Sequence, residues 1–334
     1  MQPVKVSIII PVYNVSMYIE ECLQSALEQT YQDIEYLIVN DASPDDSMEK
    51  IEALIHNHSR KNDIKIISHQ VNKGISAARN SGIREATGDY LFFLDSDDVL
   101  YKNSIEVLAS LAIKENPDLV ISEYTLIGSN DRKKYPYITL SASTIYGEEI
   151  ADAFYRKKWH GAAWNKLVKR TLFLHKECMF YEGIIQMEDI LWSLFIAQYA
   201  STMCVSKENT YFYRIREGSV TQKVSTRNFD SMLLVLKEMG STAFLKHQHK
   251  DDTALCEFLA DQRIYFYKEL IRCHIEKGYI RQSVKKIDAA FSDKKFSLFA
   301  HSFSYFLKVL PYKLPHSLGI MYIKLILLIQ KKND

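Results

Sequence analysis

Three carboxylates crowd into the four residues Asp95-Ser96-Asp97-Asp98, directly after the apolar run Leu91-Phe92-Phe93-Leu94. Carboxylates this close repel one another unless a cation or protons intervene. Oxygen-only donors suit Mg²⁺ or Mn²⁺, and Mg²⁺ commonly takes one or two carboxylates together with phosphate oxygens. The chemistry such a cluster can do is to hold a metal against a phosphorylated ligand. The plainer alternative is a solvated acidic turn leading into a helix over Ser104 to Glu115. A further acid, Asp41, ends the run Ile34-Glu35-Tyr36-Leu37-Ile38-Val39-Asn40. Lys73 and Arg79 flank a helix that opens at Gly74, and a helix N-terminus with adjacent cations suits an anion. On the plainer reading both cations belong to a solvated face. Much later, Glu188-Asp189 opens an apolar helix, where the pair also suits capping through the helix dipole.

Buried strands and crossover helices must position these residues. Val6-Ser7-Ile8-Ile9-Ile10-Pro11 reads as a buried strand ended by proline, with Tyr13-Asn14 in the loop beyond it. Tyr18, Ile19, Cys22, Leu23, Ala26 and Leu27 recur at helical spacing, with Ser16 as the expected N-cap. Ile34 to Asn40 is a second strand, and Asp45 or Asp46 caps the helix carrying Met48, Ile51, Leu54 and Ile55. Ile64 to Ser68 is a third strand, the helix after Gly74 runs through Arg84, and Tyr90 to Leu94 is a fourth. Asp118 to Thr125 reads as a fifth. This alternation predicts a mostly parallel sheet with helices on both faces. Ligands of such sheets bind beyond the carboxyl ends of the strands, where Asp41 and Asp95 stand.

After residue 125 the pattern changes. Residues 128–147 are polar and irregular, with an exposed loop expected at Asn130-Asp131-Arg132-Lys133-Lys134. Ala163 to Val168 is a short strand or extended segment, and Gln186 to Ala200 is helical. Tyr211 to Ile215 is a strand followed by a loop over Arg216 to Thr221. From Asn228 onward long periodic segments predict helices, and Phe296 to Ile329 is apolar and aromatic with Lys324 inside it and Lys331-Lys332 after it. Such a tail can lie in a membrane interface; packing on the catalytic region or a dimer contact is the alternative.

The composition suits a large globular protein: 334 residues, 47% hydrophobic and 25% charged. A net charge of +1 argues against electrostatic nucleic-acid binding. The cysteines, Cys22, Cys178, Cys204, Cys256 and Cys273, show no metal-ligand spacing, and their odd number and scatter suggest reduced thiols. No signal peptide is legible, and no stretch reaches the roughly 18 apolar residues of a spanning helix. A cytoplasmic location is therefore expected, with peripheral contact at the inner face of the plasma membrane as its variant. The ten histidines are dispersed, and none is assigned as a ligand.

Two readings of the acidic cluster fail. An EF-hand loop needs Asp or Asn and then Gly where Val99 and Leu100 stand. A phosphatase of the haloacid dehalogenase type carries its acidic pair after the first strand, not the fourth. A third reading fits more of the chain. Ile8-Ile9-Ile10-Pro11-Val12-Tyr13-Asn14, Val39-Asn40-Asp41-Ala42-Ser43, Asn72 to Gly82 and Asp95-Ser96-Asp97-Asp98 follow in order. Across residues 4–125 this closely resembles the family 2 glycosyltransferases. Trp164-Asn165-Lys166, Glu188 to Trp192 and Tyr213-Arg214 with Gly218-Ser219-Val220-Thr221 extend the resemblance to about residue 220.

The resemblance implies a GT-A fold over residues 1–225, Rossmann-like, with a nucleotide-sugar half to about 125 and an acceptor half after it. A helical C-terminal region, 226–334, follows. It implies an inverting, metal-dependent hexosyltransferase-type enzyme that uses a nucleotide-diphosphate sugar, a UDP-sugar on this reading. The acceptor would be a glycan or lipid-linked saccharide hydroxyl in bacterial cell-surface polysaccharide synthesis. Pro11 and Tyr13 would line the base pocket, Asp41 would accept from the N3–H of uracil, and Asp95 would approach the ribose. Arg79 would lie near the base or phosphates, with Lys73 at the anion-binding start of its helix, and Arg214 could grip phosphate or form a surface pair; Trp164 and Trp192 could stack on a sugar face, but their apolar neighbours suit a core better. Asp97, with Asp98 as second contact, would bind Mn²⁺ or Mg²⁺, and Asp189 would be the general base, with Glu188 as its rival. The competing classes are a sugar nucleotidyltransferase, whose Gly-rich basic loop Val12-Tyr13-Asn14-Val15-Ser16 lacks, and a non-catalytic glycosyltransferase-like binding protein.

Overall fold

The computed structural model describes residues 3–128, 138–215, 226–242, 253–273, 276–292 and 302–330. The chain divides into two compact units: Met1–Gly183 with Glu188–Ser219, and Ile184–Met187 with Val220–Asp334. The division expected at residue 225, the loop at Asn130 to Lys134 and the loop at Arg216 to Thr221 all lie outside the described residues.

The first unit opens as β1 (Val6–Val12), α1 (Ile19–Leu27), β2 (Ile34–Asn40), α2 (Ser47–Ile55), β3 (Ile64–Ser68), α3 (Ile75–Glu85) and β4 (Tyr90–Phe93). It continues as β5 (Val99–Leu100), α4 (Ser104–Glu115), β6 (Leu119–Ile127), β7 (Thr144–Tyr146), α5 (Glu148–Tyr155), β8 (Lys166–Lys169), α6 (Glu188–Tyr199) and β9 (Thr202–Arg214). Among the described residues nine strands form one sheet in the order β3-β2-β1-β4-β8-β6-β9-β5, with β7 beside β9. The sheet is parallel from β3 through β4, where helical crossovers return the chain to the same end. Beyond β4 it is mixed. β8 runs antiparallel to both β4 and β6, β6 and β9 are parallel, and β5 and β7 are antiparallel to β9. The mostly parallel expectation thus holds for the first half only, because β8 inserts between β4 and β6 running against both. The strand expected from Tyr211 begins nine residues earlier, at Thr202.

Strand alternation sorts the helices onto the two faces. Ile8, Ile10, Phe92 and Leu94 share one buried cluster with Ile19, Cys22 and Leu23 of α1, Ile51 of α2 and Ile105 and Leu108 of α4. Ile9 and Phe93 point the other way. Ile9 meets α3 at Gly82, where an added Cβ would stand 2.4 Å from the Ile9 Cγ2, so only glycine permits this approach. Phe93 packs edge-on against Phe180 and Trp192, the latter on α6. α3 and α6 therefore lie on the same face of the sheet.

Of the two expected caps, one changes. Ser16 does not cap α1; its hydroxyl donates to Asp46 and its N–H to Asp45. Asp45 accepts from the Ser47 N–H at the start of α2, at 3.2 Å. Gly74, at φ 88°, supplies the left-handed backbone from which α3 starts.

The second unit contains α7 (Thr226–Thr242), α8 (Thr253–Arg272), α9 (Lys277–Ala290), α10 (Phe303–Lys313) and α11 (His316–Gln330). Arg263 on α8 is fully buried, with its guanidinium 4.6 Å from the Phe291 ring and 4.3 Å from that of Tyr312. The segment before α6 belongs to this unit: the Ile185 and Gln186 N–H groups donate to the Ser231 hydroxyl on α7. Gly319 lies so close to the Pro311 carbonyl that α10 and α11 pack as a tight pair. Among the described residues no helix is long and apolar enough to cross a membrane.

Glu35 ties the amino ends of the parallel strands together. It accepts from the Ser7 hydroxyl, from the Thr87 N–H and hydroxyl and from the Gly88 N–H, and Lys5 Nζ lies 3.1 Å away. Burial works against its charge, but these donors outweigh it and hold the carboxyl down to about 2. A depressed folded pKa contributes stability above the ordinary value of 4.5, lost as pH falls through about 2. Urea midpoints should therefore fall over that window, and Glu35→Gln should lower the midpoint at pH 7 and flatten this part of the profile.

Candidate active site

The strand-end carboxylates meet quite different surroundings. Asp41, just past β2, is 2% exposed. Its Oδ1 accepts from Lys73 N–H at 2.8 Å and from His69 Nδ1 at 2.6 Å, and its Oδ2 accepts from Gly74 N–H at 2.8 Å. The turn that opens α3 is therefore built around this carboxylate. Pro11 is buried in β1 opposite Val39, while Tyr13 just beyond it is 46% exposed. The Lys73 side chain is exposed beside the same turn.

Asp95, Asp97 and Asp98 follow β4 as expected, but they part company at once. Asp98 turns inward and is 1% exposed. One of its oxygens accepts from the Tyr211 hydroxyl at 2.8 Å and the other from the Arg214 N–H at 2.7 Å. The Tyr211 hydroxyl also accepts from the Asp95 N–H, at 3.2 Å. Asp98 is thus a fastening between the acidic turn and the end of β9, which makes it a poor candidate for the second metal contact. Burial, then the charges of Asp95 and Asp97, push its carboxyl up to about 9. Asp95 and Asp97 keep partial exposure. Such a concentration of negative charge, with oxygen donors only, fits a Mg²⁺ or Mn²⁺ ion that completes its shell with phosphate oxygens. Asp97 is the carboxylate suited to hold it. Among the described residues no three acidic, His or Cys side chains alone make a metal site.

Arg79 joins the two halves of the site. Its guanidinium is 2% exposed, donates to Asp95 at 2.8 Å and to Glu188 at 3.3 Å, and lies 5.1 Å from the Phe180 ring. Burial opposes its charge, but Asp95 and Glu188 more than restore it. Its Nε finds no acceptor among the described residues. The next residue, Asn80, donates to the Phe180 carbonyl and accepts from the Phe180 N–H, at 2.8 and 2.9 Å. Two successive residues of α3 therefore hold the segment that leads into α6 and the acid at its start.

Glu188 and Asp189 occupy the first turn of α6, half-buried, after Met187 at φ 66°. Burial, then the neighbouring Asp189, raises Glu188 to about 7 against the pull of Arg79. Asp189 is raised as well, chiefly by burial, with Arg79 and the Ile190 N–H opposing. Both are carboxyls poised to exchange a proton nearer neutrality than an exposed acid would.

Other expected site residues lie elsewhere. Trp164 is 6% exposed and stacks on Tyr211 and Tyr213 with ring centroids 4.7 and 5.0 Å apart, a core position and not a sugar platform. Trp192 is buried too, donating to the Cys178 carbonyl. Arg214 donates to the Asp97 carbonyl at 2.8 Å and to Glu21 at 2.6 Å and covers the Tyr18 ring, so it braces the acidic turn. His69 and Tyr211 escaped the sequence reading. His69 directly follows a strand on the carboxyl side, which was the available signal. Tyr211 reads as one aromatic among many.

Replacing Arg79 by Met should leave the half-buried Asp95 and Glu188 without their shared cation. Loss of one partner from such an arrangement costs about 3–5 kcal/mol. The check is chemical unfolding of Arg79→Met beside the parent, with little loss expected for Lys73→Met, whose side chain is exposed.

Residues 7–175 match the family model described as glycosyl transferase family 2. The uncharacterized glycosyltransferase EpsJ of Bacillus subtilis is 35% identical over 222 residues, which span 65% of this chain and 63% of that protein. The chain therefore matches somewhat less than two thirds of that relative's length. TarS of S. aureus, crystallised with UDP-GlcNAc, superposes with a TM-score of 0.69 at 19% identity, over 86% of this chain and 80% of that one. A mannosyltransferase from Pyrobaculum calidifontis, crystallised with GDP-Man and Mn²⁺, superposes with a TM-score of 0.53 at 15% identity, over 97% and 86%. At those identities the superpositions establish the fold, which is GT-A. The matched motifs and the strand-end site built from them lead to one assignment: this chain belongs to the family 2 glycosyltransferases.

Proposed function

We propose that this glycosyltransferase moves a sugar, with inversion, from a nucleotide-diphosphate sugar to a hydroxyl of a glycan or lipid-linked saccharide. The donor in this reading is a UDP-sugar and the pathway is cell-surface polysaccharide synthesis. The observation that carries it is the Arg79 bridge, which joins the strand-end acid Asp95 to the acidic first turn of α6. Donor chemistry and proton transfer then share one crevice. That TarS was crystallised with UDP-GlcNAc supports a nucleotide-sugar donor, and the Mn²⁺ in the Pyrobaculum mannosyltransferase supports a metal.

In this mechanism Pro11 and Tyr13 flank the base, Asp41 accepts from its ring N–H, and Asp95 approaches the ribose. Lys73 stands exposed at the start of α3, where a diphosphate gains from the cation and the helix dipole. Arg79 contributes mainly by holding Asp95 and Glu188. Asp97 would hold Mn²⁺ or Mg²⁺, which when bound neutralises charge on the departing diphosphate. Asp189 takes the acceptor hydroxyl proton as that oxygen attacks the anomeric carbon from the side opposite the diphosphate. The new glycosidic C–O bond forms as the bond to the diphosphate breaks, and the nucleotide leaves with the electron pair.

A screen of nucleotide sugars for Mn²⁺-dependent release of free nucleoside diphosphate tests the reading. Release from none of them would refute it, and release of inorganic pyrophosphate would favour a nucleotidyltransferase. With the donor in hand, Asp97→Ala should abolish the metal-dependent turnover. Asp189→Asn should lower kcat for transfer roughly 10²–10⁴-fold while leaving nucleotide affinity intact. Transfer at the parent rate would remove Asp189 from the mechanism and turn attention to Glu188.

The helical unit supports a peripheral membrane contact in the same reading. Phe303 and Leu307 on α10 and Leu318, Met321 and Leu325 on α11 are exposed, and exposed Lys324 lies among the latter. An apolar face with a basic residue suits an anionic lipid surface. The full chain should float with vesicles containing anionic lipid, and Met321→Glu with Leu325→Glu should leave it in the pellet fraction. Equal flotation of both would discard the contact.

A further inference from the structure

We infer that His69 and Ser81 form a positioning pair that fixes the Asp41 carboxylate for one task, to accept from a nucleobase ring N–H. The pair would thereby set the choice of uracil over cytosine. The inference rests on the uridine-nucleotide reading above and goes beyond it by assigning the choice to His69, just before the Asn72 to Gly82 motif, and to Ser81 within it.

The geometry supplies the argument. A carboxylate only accepts, so at 2.6 Å the His69 Nδ1 must carry the proton and donate to Asp41 Oδ1. The opposite ring nitrogen, Nε2, lies 2.9 Å from the Ser81 Oγ. With Nδ1 protonated, a neutral ring accepts from the Ser81 hydroxyl through Nε2, and this locks the tautomer that Asp41 needs. The His69 and Asp41 side chains are only 6% and 3% exposed, so neither ring nor carboxylate is free to turn. His69 is held by its backbone as well, its N–H donating to the Asn40 carbonyl at 2.9 Å. Ser81 sits on α3, which starts from the very turn whose Lys73 and Gly74 N–H groups bind Asp41.

A carboxylate offers about four lone-pair positions. Three are filled: two on Oδ1, by His69 and Lys73, and one on Oδ2, by Gly74. The single remaining position is on Oδ2. A ring N–H such as the N3–H of uracil satisfies it, whereas the bare N3 of cytosine sets lone pair against lone pair. Without His69, Oδ1 regains a vacancy and only the Lys73 and Gly74 N–H groups hold the carboxylate, so the preference for one base edge weakens. His69 acts through Asp41 and is a positioning residue.

The test is calorimetric titration of UDP and CDP, in Mn²⁺, into the full-length parent, His69→Ala, His69→Asn, Ser81→Ala and the pair Asp41→Asn and Asp41→Asn/His69→Ala. The parent should prefer UDP. A hydrogen bond to a charged group is worth about tenfold in affinity, so His69→Ala should weaken UDP by about that factor and CDP hardly at all. His69→Asn, whose side-chain amide donates from nearly the Nδ1 position, should recover most of the loss. Ser81→Ala, which spares the fold most, should shift the UDP/CDP ratio the same way by a smaller factor. In the Asp41→Asn background, His69→Ala should change the ratio no further. A UDP/CDP ratio unchanged in both His69→Ala and Ser81→Ala, or equal weakening of both nucleotides, overturns the inference while leaving the donor reading standing. A parent that binds neither nucleotide overturns the donor reading and this inference with it.

Discussion

A guanidinium taken out of water is among the most expensive groups a fold can bury, and Arg79 is 2% exposed in the middle of the first unit. Its desolvation is tolerable because Asp95 and Glu188 meet it from two elements more than ninety residues apart in sequence, as contacts 16 and 109 residues distant. The exchange works only if α3 and α6 lie on the same face of the sheet. Gly82 against Ile9 and Phe93 against Trp192 secure that arrangement by packing. The polar bridge depends on apolar contacts that bring its partners close, and the acids of the site depend on the bridge.

Asn80 extends this dependence. Alone, Arg79 would fix one oxygen of Glu188 and leave the approach to α6 loose. With Asn80 clamping Phe180 through two backbone bonds, and the Phe180 ring lying both near the guanidinium and stacked on Trp192, the entry into α6 is held by hydrogen bonds, a cation–π contact and aromatic packing together. The motif Arg79-Asn80 therefore carries two functions at consecutive helical positions, an ion-pair bridge and a hydrogen-bonded clamp. Loosening either would move the same acid pair.

The parallel half of the sheet was legible because each apolar run there stops on an acid or a turn residue, so strand ends and ligand side coincide in the sequence. The mixed half was not. β8 is four residues long and pairs with β4 and β6 by tertiary placement alone, and β9 begins in Thr202 to Lys207, where charge interrupts the apolar pattern. Side-chain direction was the larger blind spot. In Asp95-Ser96-Asp97-Asp98 nothing local says that the last carboxylate turns inward, because its partners, the Tyr211 hydroxyl and the Arg214 N–H, arrive from 113 and 116 residues away. Trp164 stood open for the same reason: among apolar neighbours a tryptophan suits a core and can still offer a sugar platform, until Tyr211 and Tyr213 are seen to stack on it. His69 had a positional signal, one residue past β3, but no chemical one until Asp41 stood 2.6 Å away.

What separates these carboxylates is environment, not residue type. Asp41 is surrounded by three N–H donors, which suits a fixed acceptor. Asp98, buried beside two other acids, is pushed up to about 9 and spends both oxygens on Tyr211 and Arg214. Asp95 and Asp97 stay at the crevice edge, one bonded to Arg79 and the other next to the Arg214 guanidinium that grips its carbonyl. Asp189 feels two buried cations, Arg79 and Lys166, yet burial still raises it. Lys166 itself has its ammonium on the Ala162 carbonyl and the Asn165 amide oxygen, at 2.6 and 3.0 Å, and burial lowers it to about 7. A carboxyl placed this way keeps positive charge nearby that favours ionisation and enough burial to favour a proton once it arrives. Those are opposing requirements, and the burial of Asp189 near Arg79 and Lys166 answers to both.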